Sequence, residues 1–60
     1  MTALTIEAHN LRAGDIVTEH DWHLHVARAW QDTLGVSVAF TEFDFLRHYS
    51  LCELVIVERA

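Results

Sequence analysis

The stretch Trp22 to Thr41, WHLHVARAWQDTLGVSVAFT, sets the tightest limit on what this chain can fold into. Trp22, Leu24, Val26 and Trp30 fall at even positions before a turn, and Val36, Val38 and Phe40 fall at even positions after it. Side chains alternate along a strand, so two strands joined here as a hairpin have one nearly all-apolar face. The turn carries Asp32 first and Gly35 last. That is type I chemistry, in which the Asp carboxylate caps backbone donors and Gly takes a left-handed exit. The other face holds His23, His25, Ala27, Ala29 and Gln31, which are small or polar by comparison. Arg28 breaks the even-numbered apolar series, and a bulge there is expected to turn its charge outward. A lone hairpin is marginal in water. The flanking segments must therefore cover the apolar side, with Trp30 and Phe40, near the turn, expected in the core.

Those segments also read as strands. Leu4, Ile6 and Ala8 alternate with Thr5 and Glu7, which gives a first strand over Thr2 to Ala8 with one buried face. His9 and Asn10 interrupt it. LRAGDIV then places a tight turn at Ala13-Gly14-Asp15 ahead of a short second strand running from Asp15 to Thr18 or Glu19. Glu19-His20-Asp21 is the next connection. From Glu42 to Tyr49, Phe43 and Phe45 alternate with Glu42 and Asp44 as in a strand. Phe43, Leu46 and Tyr49 are also spaced by three, as in a helix capped by Thr41. The strand is preferred, because Phe and Tyr are better strand formers and the neighbours are β. Ser50-Leu51-Cys52-Glu53 has capping-box spacing and is followed at once by a strand, which predicts a single 3₁₀ turn. Leu54-Val55-Ile56-Val57 is apolar on both faces, as expected of a strand inside a barrel or beneath a partner chain.

Sixty residues form one domain, 1–60, that buries only about 60% of its unfolded surface. Oligomerisation is a natural supplement at this size, and a homodimer is expected. A single cysteine, Cys52, excludes an internal disulfide. That fits a reducing compartment. The first residues lack a basic start and a long apolar core, and no apolar run approaches the ~20 residues of a membrane span. A cytoplasmic protein is expected. With 52% hydrophobic and 22% charged residues the chain has the means to fold. Nine acids face four scattered arginines and no lysine, for a net charge of −5. Nucleic acid is met by a basic stripe, so it is a disfavoured partner, whereas a basic protein surface would be attracted.

LRAGDIV (Leu11, Gly14, Asp15), a long hairpin, and then YSLCELVIVER (Tyr49, Ser50, Glu53, Leu54, Val57) follow one another in this chain. The succession resembles small SH3-like β-barrels that have a Leu-x-x-Gly-Asp turn leading into a strand and a short 3₁₀ turn before the last strand. Short uncharacterised proteins of actinobacteria and their phages look similar, and the lysine-free, alanine- and valine-rich composition agrees with such a source. The chain departs from that pattern in placing Phe43 and Phe45 where a Gly-bearing hairpin turn would stand. The resemblance implies a fold and a phage-like origin. It transfers no active residues.

Three groups of side chains are candidates for function. His20, His23 and His25 form H-x-x-H-x-H, and the i, i+2 pair on a strand points two imidazoles to one side. Zinc or nickel would need His20 or the distant His48 to complete the set; otherwise these are solvated surface histidines. Such a cluster would also gain mutually repelling charge in acid and loosen an interface. Asp44, His48 and Cys52 have the residue types of a catalytic triad, but a barrel this small has little room for an oxyanion hole, and a semi-buried Cys among surface polar residues is the simpler reading. Trp22, Phe43, Phe45 and Tyr49 belong to an aromatic set too large for the chain to enclose, so part of it should form a contact surface. SH3-like barrels use aromatic-lined grooves for proline-rich peptides, although those grooves are richer in tyrosine than this chain.

The sequence therefore predicts an all-β, SH3-like barrel of about five antiparallel strands. The expected function is that of a non-enzymatic protein–protein interaction module, phage-encoded or regulatory, acting as a homodimer without a required cofactor. A His-based protein binding or responding to zinc or nickel is the first alternative. An SH3-like nucleic-acid binder is the second.

Overall fold

A computed structural model describes residues 2–59. The strands are β1 (Thr2–Glu7), β2 (Ile16–Glu19), β3 (Trp22–Asp32), β4 (Gly35–Phe40), β5 (Leu46–Tyr49) and β6 (Leu54–Arg59). They form one antiparallel sheet in the order β1-β6-β2-β3-β4-β5, open at its two ends. The chain is all-β, with six strands where about five were expected. Among the described residues no helix is long and apolar enough to cross a membrane.

β3 organises the sheet. Its first part, Trp22 to His25, pairs with β2, and its second part, Val26 to Asp32, pairs with β4. The register shifts between Val26 and Arg28, leaving Ala27 as the extra residue of a bulge. A bulge bends its strand and resets which face each side chain meets. Leu24 and Val26 are accordingly buried, and beyond the bulge it is Ala29 that packs against the core. Arg28 turns out to solvent as expected, with its guanidinium 4.9 Å above the Trp30 ring. Trp30 is thus only partly buried and lies outside the core, correcting its expected place there, while Phe40 is buried in it.

The core gathers Val17 from β2, Leu24 and Val26 from β3, Val36, Val38 and Phe40 from β4, and Val55 and Val57 from β6. Ala8 and Leu11, either side of the first loop, fill its remaining side. On β6 the alternation is strict: Val55 and Val57 are buried, while Leu54 and Ile56 are 66% and 50% exposed. The strand expected to be covered on both faces is covered on one.

The turns follow their local chemistry. Asp32 Oδ1 accepts the Leu34 N–H at 3.0 Å, and Gly35 takes φ +130°. A Cβ at Gly35 would run into the Tyr49 carbonyl oxygen, so glycine is required here twice over. The 3₁₀ turn lies at Ala8–Asn10, not near Ser50–Glu53. Ser50–Glu53 is instead one tight turn, with Glu53 N–H donating to the Ser50 carbonyl at 3.1 Å and Ser50 N–H donating to Glu53 Oε1 at 3.2 Å. Half of the expected capping box is present, but β6 begins too soon for a helical turn to form. The Glu42–Tyr49 segment is a strand only from Leu46. Phe43 N–H bonds back to the Phe40 carbonyl at 3.4 Å, which turns the chain after β4 and carries Phe43 and Phe45 off any strand.

Asp15, nearly inaccessible to solvent, anchors the far end of β6. Its carboxylate accepts Arg12 N–H at 3.1 Å, closing the turn as expected, and takes a two-pronged ion pair from Arg59 at 2.7 and 2.9 Å. Arg59 also donates to the Asn10 carbonyl at 2.9 Å. The Arg59 hydrogen bonds hold the Asp15 carboxyl below its usual range, against the opposing effect of burial.

Candidate functional site

The β2–β3 turn and the β4–β5 connection stand side by side and enclose a cleft of about 210 Å³. Trp22, Phe43 and Phe45 form its walls, Leu24 its apolar base, and Glu19, His20 and Arg47 its polar end. The rings are in contact. Phe43 stacks on Phe45 with centroids 4.8 Å apart, meets Phe40 edge-on at 6.3 Å, and lies 6.4 Å from Trp22. Phe43 thus ties the cleft to the core through Phe40, whereas Trp22 and Phe45 are each 61% exposed. Small-molecule pockets run to about 300–1,000 Å³. This cleft lies below that range, with room for about one or two amino-acid side chains.

Its polar end is built across the open edge of the sheet. Glu19 on β2 accepts hydrogen bonds from Arg47 Nη2 at 3.0 Å and from the Tyr49 hydroxyl at 2.8 Å, so two side chains of the edge strand β5 bridge to β2 where backbone bonds do not. Burial pushes the Glu19 carboxyl up, but the hydrogen bonds from Tyr49 and Arg47 outweigh it and hold it below the usual carboxylate range. Burial, reinforced by the bond to Glu19, pushes the Tyr49 hydroxyl up. Arg47 also lies over the Tyr49 ring at 4.9 Å. Tyr49 is 3% exposed. Of the four aromatics expected on a contact surface, Trp22, Phe43 and Phe45 come together there, and Tyr49 is a buried support behind Glu19.

The three histidines part company. His20 sits at the tip of the β2–β3 turn at φ +56°, a left-handed conformation that His tolerates better than most residues. His23 lies opposite Thr18, exposed on the outer face. His25 is occupied by Glu42: its backbone N–H donates to Oε1 at 2.9 Å and its Nδ1 meets Oε2 at 2.6 Å. These bonds pull the Glu42 carboxyl down to about 2. Among the described residues, the one group of three ligand-bearing side chains whose donor atoms lie within 4.8 Å of one another is Glu7, His9 and Cys52. His20, His23 and His25 form no such group, because the turn carries His20 away from the strand face that the other two share.

Asp44, His48 and Cys52 do not align, since the segment between them is strand and turn with no helix to bring every fourth residue to one side. His48 has other neighbours. The buried Ser37 hydroxyl donates to Asp32 Oδ2 in a short hydrogen bond and lies 3.0 Å from His48 Nδ1. With its one proton committed to Asp32, Ser37 accepts from a His48 carrying its proton on Nδ1. A nucleophilic serine needs the imidazole between it and the acid, and an open approach. Here serine is the middle member and is enclosed, which makes the trio a clamp on the β3–β4 turn.

Sequence reasoning missed Glu19, Arg47 and Arg59, whose partners lie 28, 30 and 44 residues away. No local spacing signals such pairs. No known protein family, curated protein or solved structure matches this chain.

Proposed function

We propose that this protein is a non-enzymatic protein–protein interaction module that takes an apolar segment of a protein partner into the cleft walled by Trp22, Phe43 and Phe45. The observation that carries the reading is the cleft itself. Two aromatic rings stand more than half exposed beside a third that is rooted in the core. Leaving such rings in water forgoes the stabilisation of burying them, and exposed Trp and Phe around a pre-formed cavity are the anchors that partners use. The net charge of −5 favours a partner segment with basic residues flanking its apolar anchor.

The reading extends to architecture and assembly. The bent sheet, with β3 shared between its halves and side chains bridging β5 to β2, is read as an SH3-like barrel. The protein acts as a homodimer that covers Leu54 and Ile56 on the outer face of β6, leaving the cleft free. Its role is that of a cytoplasmic, regulatory or phage-type accessory protein.

The test is selection of displayed peptides on the parent chain, counter-screened on a Trp22→Ala/Phe45→Ala double variant. Enriched sequences with an aromatic or aliphatic residue beside basic ones, lost on the double variant, are the expected result. Failure to enrich, or equal binding to both proteins, refutes the cleft. Light scattering checks the assembly, and a strict monomer across micromolar concentrations refutes the dimer.

A further inference from the structure

We propose that Glu7, His9 and Cys52 form a binding site for a borderline divalent transition ion, with Zn²⁺ the best fit. The three come from two separate segments. Glu7 ends β1, His9 lies in the 3₁₀ turn that follows, and Cys52 lies in the tight turn before β6. One carboxylate oxygen, one imidazole nitrogen and the thiol sulfur lie within 4.8 Å of one another.

Backbone bonds set this proximity. Ala8 N–H donates to the Glu53 carbonyl at 2.8 Å and His9 N–H to the Leu51 carbonyl at 3.1 Å. These two bonds clamp the 3₁₀ turn to the residues on either side of Cys52. Ala8 is fully buried between them, so the platform under the three ligands is part of the core.

The donor chemistry selects the ion. Sulfur, imidazole nitrogen and a single carboxylate are the ligand types of Zn²⁺, which takes them at about 2.3, 2.0–2.1 and 2.0–2.2 Å. Calcium and magnesium ask for an all-oxygen shell and find one carboxylate here. Tetrahedral bonds of those lengths separate neighbouring ligand atoms by roughly 3.3–3.7 Å. His9 Nε2 and Glu7 Oε1 now stand 2.9 Å apart, in hydrogen-bond contact. Moving these two side chains apart by a few tenths of an ångström gives the spacing an ion needs, and Cys52 Sγ, within 4.8 Å of both, closes the set by rotation about its own Cα–Cβ bond. On binding, the Cys52 thiol proton leaves to solvent and the thiolate joins the metal. Neutral His9, whose Nε2–H now donates to Glu7, exchanges that proton through solvent for one on Nδ1 and binds through Nε2, and ionised Glu7 binds through one oxygen, so the net release is one proton per ion. Water takes the fourth position. None of the three residues lines the aromatic cleft.

Cobalt(II) is the probe, titrated into the full chain kept reduced. The expected result is a sulfur-to-cobalt charge-transfer band in the near ultraviolet with tetrahedral bands in the visible, bleached by stoichiometric Zn²⁺. Cys52→Ser removes the ultraviolet band. His9→Ala and Glu7→Gln weaken binding at least ten-fold, the lower limit seen for the less direct second layer of metal sites. A His23→Ala/His25→Ala double variant binds like the parent. Circular dichroism of each variant checks that the sheet is retained, since Glu7 ends β1 while His9 and Cys52 lie in turns. A parent with no sulfur band overturns the proposal. So does affinity unchanged in His9→Ala, or a band that requires His23 and His25.

Discussion

Strands β4 and β6 carry similar densities of apolar residues, and only one of them is sealed. On β4, Val36, Val38 and Phe40 face the core, while Ser37 on the opposite face is buried as well. On β6, Val55 and Val57 face the same core, and Leu54 and Ile56 are left in solvent. The difference lies in their cross-strand neighbours. Ser37 sits between Trp30 and His48, two large side chains that close over it. Ile56 sits between Thr5 and Thr18, which are too short to cover an isoleucine. An outward position on a sheet is thus enclosed by the size of the residues beside it, and strand hydrophobicity alone does not decide its burial. The outer face of β6 stays open to solvent, while β4 is enclosed within the chain.

The largest expected effect tests that contrast directly. Phe40→Ala should cost about 3–5 kcal/mol, a large share of what a chain of this size possesses. Ile56→Thr, at a half-exposed position, should change stability by about 0.5 kcal/mol or less. Urea denaturation of both variants decides, and comparable losses would break the distinction between the strands.

A smaller effect concerns how β6 is held. Its C-terminal end depends on the Asp15–Arg59 pair, whereas β4 depends on packing. Asp15→Asn gives up charge-assisted bonds and should cost roughly 1.5–3 kcal/mol. Amide exchange sharpens the comparison, because protection should fall more at Val57 and Glu58 than at Val38 and Ala39. Uniform loss across both strands would mean that the ion pair serves the whole sheet equally.

The smallest effect is electrostatic and belongs to the β3–β4 side. Glu42 is held down to about 2, against an ordinary 4.5, by its bonds to His25. A carboxyl with a depressed folded-state pKa contributes stability above its unfolded value and loses it as pH falls. The contribution of Glu42 should therefore be intact above about 4.5 and disappear toward 2. Thermal melts of the parent and Glu42→Gln should converge across this window. A difference that stays constant with pH would show that the His25 contact lacks this linkage.

Much of the fold was legible in the pattern of residues. Period-two alternation located β1 and the β3–β4 hairpin, the Gly14 turn located β2 and a continuous apolar run located β6, each to within a residue or two, and Asp32 with Gly35 marked the central turn. The errors have identifiable causes. One unpaired residue, Ala27, reversed the facing of everything after it on β3 and moved Trp30 out of the core. Alternation of Phe43 and Phe45 suggested a strand where a turn had instead gathered both rings beside Trp22. For the candidate site, the surplus of aromatics pointed to Trp22, Phe43 and Phe45 but misplaced Tyr49, whose hydroxyl finds Glu19 from 30 residues away. The histidine spacing drew attention to His20, His23 and His25. Glu7, His9 and Cys52, with no shared motif, were brought together by two loop hydrogen bonds.

By itself the order of residues determined the β class, most strand positions and the chemistry of the tight turns, because each is settled by neighbours within a few positions. Tertiary structure alone decided which apolar residues are covered, which carboxylate meets which arginine, and which three ligand types converge. Those outcomes depend on register across strands. Register comes from the whole sheet packing on one core, and no local stretch of the chain contains it.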